Sequence, residues 1–150
     1  MKVLLLIYLL RMNFQVVQKP DIGTVRKLYH SAANVKQDAL RINQLMLEVD
    51  INAAPVLVCY KGANEMIQAK YALNPFVKLA KFNKGKALLI KAIGRDTLNL
   101  EMRFIRYSIQ SNLPAFLNYG DELGADKRFL VNNTKHNNDP ELREIIYNYL

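Results

Sequence analysis

One cysteine and two histidines occur in 150 residues, and these scarcities exclude whole classes of chemistry. Cys59 has no partner for an intrachain disulfide, and between Val58 and Tyr60 it reads as a small core residue. His30 and His136 form no cluster with it at zinc-ligand spacing, so metal sites built from sulfur and nitrogen are set aside. Six glycines and five prolines leave little punctuation for a many-stranded β fold. Catalytic motifs are missing too: no nucleophile elbow, no zinc-protease helix and no glycine-rich dinucleotide turn. Gly85-Lys86 is followed by Ala87 where a phosphate loop needs a hydroxyl. Asp121 and Glu122 are adjacent carboxylates, but neighbours on a helix point about 100° apart and do not make a catalytic pair. No cofactor is implied.

What is present suits one folded domain. Hydrophobic residues make up 51% and charged residues 23%, enough to bury a core without staples. The formal charge of +8 is unevenly spread: residues 66–95 carry seven cations and no acid, whereas residues 96–150 hold six basic and eight acidic residues. Met1-Lys2 followed by the eight apolar residues Val3 to Leu10 resembles the start of a secretory signal, and is too short to span a bilayer. Arg11 to Gln15 offer no small-x-small cleavage pair. Residues 1–19 are therefore expected to be either a signal-like segment, with export, or an N-terminal arm in a cytoplasmic protein; residues 20–150 form the helical domain.

Helical spacing recurs along that domain. Ile22, Val25, Leu28, Tyr29 and Ala32 predict a first helix. Asn34 is expected to cap a second, with Val35, Ala39, Ile42, Met46 and Val49 facing inward. Pro55 suits the first turn of a third, running to about Leu73. Asn74-Pro75 opens a fourth, with Leu79, Phe82, Leu89, Ala92 and Ile93 on one side, Lys81, Lys84, Lys91 and Arg95 opposite, and Gly94 as its stop. Lys86 lies near the apolar side, from which its ammonium can snorkel outward. A fifth helix, Leu100 to Ser111, ends before Pro114. Phe116, Leu117 and Tyr119 are expected to hold an irregular crossing. A sixth helix starts near Asp121 with Leu123, Phe129 and Leu130 inward; Asn132 to Asn138 reads as a polar loop. Asp139-Pro140-Glu141 starts the last helix, with Leu142, Ile145, Ile146 and Tyr149 inward.

Short connectors favour antiparallel neighbours, hence an all-α bundle of stacked helical hairpins with six to seven helices. The stretch from Lys86 to Arg103 resembles the second helix, turn and next helix of a tetratricopeptide repeat: Leu89 and Ala92 match its packing positions, Asp96 and Asn99 its turn. Tyr60-Lys61-Gly62-Ala63 echoes the first helix. Thr97 stands where the repeat has proline, Gly85 occupies another small position, and no second copy appears at the 34-residue period. More broadly, Arg103 to Gln110, Pro114, Phe116-Leu117, Tyr119, Asp126-Lys127 and Phe129-Leu130 resemble a family of small, uncharacterised bacterial helical proteins that are themselves similar to tetratricopeptide repeats. That resemblance covers most of residues 21–150. It implies the architecture and a frequent secretion signal, and no activity.

Two constellations could bind a partner. On the apolar fifth helix, Arg103, Arg106 and Gln110 make a narrow polar stripe that needs partners if it is buried. Asp126, on the inward side of the sixth helix, can pair with either arginine; left free, the arginines could capture an acidic peptide or small anion. Lys81, Lys84, Lys91 and Arg95 read as a solvated face, or as a surface for nucleic acid or an anionic membrane. Tyr71, Phe76 and Phe82, placed on or near the packing side, leave no stacking platform and argue against nucleic acid. The sequence thus predicts a non-enzymatic protein-interaction module with an unidentified protein partner. Anionic-surface binding through residues 70–95 and a small-anion site at Arg103 and Arg106 are the alternatives.

Overall fold

The structure, a computed structural model, describes residues 19–150. The expected apolar segment of residues 1–19 lies, except for Lys19, outside the described residues. These form seven α-helices and no strand: α1 (Ile22–Ala32), α2 (Lys36–Leu45), α3 (Pro55–Tyr71), α4 (Pro75–Arg95), α5 (Leu100–Asn112), α6 (Leu123–Asn133) and α7 (Pro140–Tyr149). Short 3-10 turns occupy Ala115–Leu117 and Thr134–His136. The protein is an all-α bundle.

Helix starts follow the capping chemistry of the sequence. Asp21, Asn74, Asn99 and Asp139 each accept a backbone N–H from the first turn, at 2.8 to 3.1 Å for the shortest bond in each case. Pro55, Pro75 and Pro140 sit at the first turns of α3, α4 and α7. Other boundaries differ from the expected ones. Asn34 does not cap α2; Val35 holds that position without a side-chain bond and is exposed rather than inward. Gly94 does not stop α4, which ends one residue later where Asp96 leaves helical geometry. The expected loop after Asn132 is largely helical, and Thr134 is buried with its hydroxyl donating to the Leu130 carbonyl at 2.7 Å. Phe116 does not hold the crossing after Pro114, being 83% exposed. Tyr119 does, packing edge-on against Phe82 at 6.2 Å.

The helices enclose two cores. The larger joins α1 to α5 around Val25, Ile42, Leu57, Val58, Leu89, Met102 and Ile105. The smaller gathers Leu100, Phe104 and Tyr107 of α5 with Leu130 of α6 and Leu142 and Ile146 of α7. Helix α5 is the wall between them and is buried around most of its circumference.

Helices α3 and α4 form an antiparallel hairpin drawn together at two glycines. A Cβ on Gly62 would lie 2.7 Å from the Gly85 carbonyl oxygen and 2.9 Å from the Leu88 Cβ. A Cβ on Gly85 would strike the Gly62 carbonyl and Met66. Only the absence of both side chains lets the backbones approach this closely. Gly62→Ala and Gly85→Ala are therefore expected to destabilise by about 1–3 kcal/mol or more through overpacking. Gly94→Ala, whose Cβ meets nothing within 4 Å, is expected to gain up to about 1 kcal/mol from helix propensity. Urea titrations of the three variants measure both signs.

Candidate functional site

The polar stripe of α5 does not form a free groove. Arg106 grips Asp126 with two hydrogen bonds, Nε to Oδ2 at 2.6 Å and Nη2 to Oδ1 at 2.8 Å, and Asp126 is fully buried. Arg103 Nε lies 2.7 Å from Asp126 Oδ1 as an ion pair, without hydrogen-bond alignment, and its guanidinium stacks 4.7 Å from the Phe129 ring centroid. Glu122 adds a longer contact to Arg106 at 3.6 Å. Both arginines are thus committed to a carboxylate that ties α5 to α6. This corrects the small-anion reading at Arg103 and Arg106, because capturing another anion would strand Asp126 in the interior. Gln110 does not join the pair; its amide is buried without a hydrogen-bond partner among the described residues.

The basic surface is also dispersed. Lys84 and Lys81 donate to Glu65 of α3 at 2.6 and 3.2 Å, and Arg95 folds back to donate to the carbonyls of Ile51, Asn52 and Ala53. Lys91 is exposed, while the Lys86 ammonium sits 4.6 Å over the Tyr119 ring. Phe76 and Leu79 are not on the packing side: they are 83% and 54% exposed.

A second ion cluster went unread in the sequence. Arg26 of α1 places Nε 2.8 Å and Nη2 3.0 Å from the two oxygens of Glu101 on α5. Nη2 also lies 3.0 Å from Asp139, the cap of α7, and Nη1 lies 3.1 Å from Glu141 on α7. The Tyr60 hydroxyl of α3 donates to Glu101 Oε1 at 2.6 Å. Hydrogen bonds from Arg26 to Glu101 raise the guanidinium pKa, so this charge is fixed. The signal was present: Arg26 is four residues after Ile22 and three before Tyr29, on the inward face of α1.

Above this cluster opens a cleft of about 540 Å³ between α1, α3, α5 and α7. Met66, Ile67, Phe104, Ile109 and Ile145 give it an apolar floor and walls. Tyr29, hydrogen-bonded to Ser108 at 3.3 Å, and Tyr149, in contact with Ser111 and Asn112, supply polar handles. Its lining includes His30 and Lys70 but no carboxylate among the described residues. Burial pushes the Cys59 thiol up, so it stays protonated and is no nucleophile. No group of three His, Cys, Asp or Glu among the described residues could hold a metal.

Asp126→Ala is expected to cost about 3–5 kcal/mol, since it leaves Arg106 charged and buried; thermal unfolding measures it. For Glu65, burial pushes the carboxyl pKa up, but the Lys84 and Lys81 hydrogen bonds outweigh this and hold it below its ordinary value of 4.5. A carboxylate with a lowered folded pKa stabilises above the unfolded value, and that contribution fades as pH falls through the folded one. Stability measured from about pH 6 to pH 3 should fall less steeply in Glu65→Gln than in the native protein.

No family model matches the chain, and comparison with curated proteins and with solved structures finds no match either.

Proposed function

We propose that the protein is a non-enzymatic helical module whose cleft between α1, α3, α5 and α7 holds an apolar segment of a protein partner bearing at least one carboxylate. The observation that carries this reading is the lining itself. Apolar side chains cover most of it, the exposed Lys70 and His30 stand at its rim, and no acid is in the lining. A concave, largely preformed apolar site with a few polar groups is the usual form of a recognition surface. Its chemistry suits an incoming carboxylate beside aliphatic or aromatic anchors, as electrostatic complementarity requires. The similarity of residues 86–103 to a tetratricopeptide repeat supports the same reading, because stacked helical hairpins of that kind present concave faces to peptides.

Tyr29 and Arg26, in the lining, are engaged in ways that orient rather than activate. Tyr29 is held by Ser108, and burial raises its hydroxyl pKa, so it serves as a neutral hydrogen-bonding group. Arg26 is consumed by three carboxylates. None of these is a nucleophile or a poised base.

Screening the full chain against peptides of about 12 residues that combine apolar and acidic positions tests the proposal. Binders should perturb the NMR signals of Ile67, Ile109 and Ile145. Ile67→Asp and Ile145→Asp, both at half-buried lining positions, should weaken binding roughly tenfold or more while leaving helicity unchanged. Binders that perturb a different face, or that are indifferent to both substitutions, would overturn it.

A further inference from the structure

The outer face of α4 has no role in the cleft or in either core. Phe76, Leu79, Ala80, Ala87 and Ile90 are all exposed there, with Leu73 99% exposed at the end of the hairpin. Their spacing of three, four and seven residues puts them on one stripe, interrupted by Asn83, about 20 Å long. Lys84 and Lys91 follow one edge of that stripe and Lys86 the other. Glu65 offsets one of these charges through Lys81 and Lys84, and residues 66–95 contribute no acid at all.

Single exposed leucines are ordinary; an apolar stripe edged by cations is not. A cationic protein surface of this kind repels a second copy of itself. Nucleic acid rewards the lysines but gains nothing from Leu79 and Ile90, and Phe76 alone is a poor stacking platform. An anionic bilayer rewards both parts, the apolar stripe in the headgroup–acyl boundary and the lysines at lipid phosphates. Helix α4 packs its other side into the core, and no helix among the described residues is long and apolar enough to cross a membrane. The geometry is that of a helix lying on the surface.

We propose that this face of α4 seats the protein on an anionic lipid surface, with Phe76, Leu79 and Ile90 as its apolar anchors and Lys91 as its phosphate contact. The proposal is independent of the cleft.

The test uses the full chain and vesicles of phosphatidylcholine with about one-third phosphatidylglycerol, against pure phosphatidylcholine. Cosedimentation should show binding to the anionic vesicles alone, falling steeply between about 50 and 300 mM salt. Phe76→Ser combined with Ile90→Ser alters only exposed positions, so helicity should be kept while binding falls roughly tenfold or more. Because Cys59 is buried, an environment-sensitive dye attached at Ala87→Cys reports the α4 face, and one at Glu144→Cys reports exposed α7. Only the first should shift to the blue on vesicles. The proposal is overturned by equal binding to neutral vesicles, by full binding of the double variant, or by equal shifts at the two dyes. It is equally overturned if the Ala87 dye shifts without lipid as the protein doubles in mass, or if duplex DNA, but not vesicles, binds through Lys91.

Discussion

Glu101 is buried with Arg26 bidentate upon it and Tyr60 donating to the same carboxylate, and the arrangement of four helices follows from keeping that charge paired. An uncompensated carboxylate or guanidinium in an interior costs several kcal/mol, so α1 and α5 are stable only when they arrive together and in one register. Arg26 continues to Asp139 and Glu141, which brings the start of α7 to the same point. Asp139 is also the cap of α7, so one side chain both begins that helix and anchors it. The two hydrophobic cores supply most of the driving force, and the ion cluster decides how they are joined.

The same economy governs the other interior charges. Asp126 engages Arg106 and Arg103, and Glu65 engages Lys81 and Lys84; in each case a carboxylate on one helix fastens cations on its neighbour. Charges that look like a binding site in a linear sequence are thereby spent on holding helices together. Surface available for recognition is left elsewhere, in a cleft lined without acids and on the outer face of α4.

Much of the fold was legible because it depends on local chemistry. Asn74-Pro75 and Asp139-Pro140 announce helix starts through capping and ring geometry that involve only a few adjacent residues. The apolar wheel of α5 signalled a helix buried on most sides, and the inward position of Asp126 made its pairing with Arg106 readable. The remainder depends on partners distant in the chain. Arg26 and Glu101 are separated by 75 positions, and nothing local to either indicates the other. Helix α4 misled because it has apolar residues on two arcs: Phe82, Leu89 and Ile93 face the core, while Leu79 and Ile90 do not, and spacing alone cannot rank the arcs. Gly85 was visible as a small residue, but its need to be one comes from the Gly62 carbonyl on the opposing helix.

The cleft inherits an asymmetry from the unequal cores. Its α1 and α3 sides belong to the large cluster, whereas α7 rests on the small one through Leu142 and Ile146. The α7 side is therefore held by the smaller apolar cluster, and the α1 and α3 sides by the larger. Arg26 fastens α7 at its start, and Asn112 donates to the Tyr149 hydroxyl at its far end, so polar contacts at both termini supplement the thin apolar cluster between them.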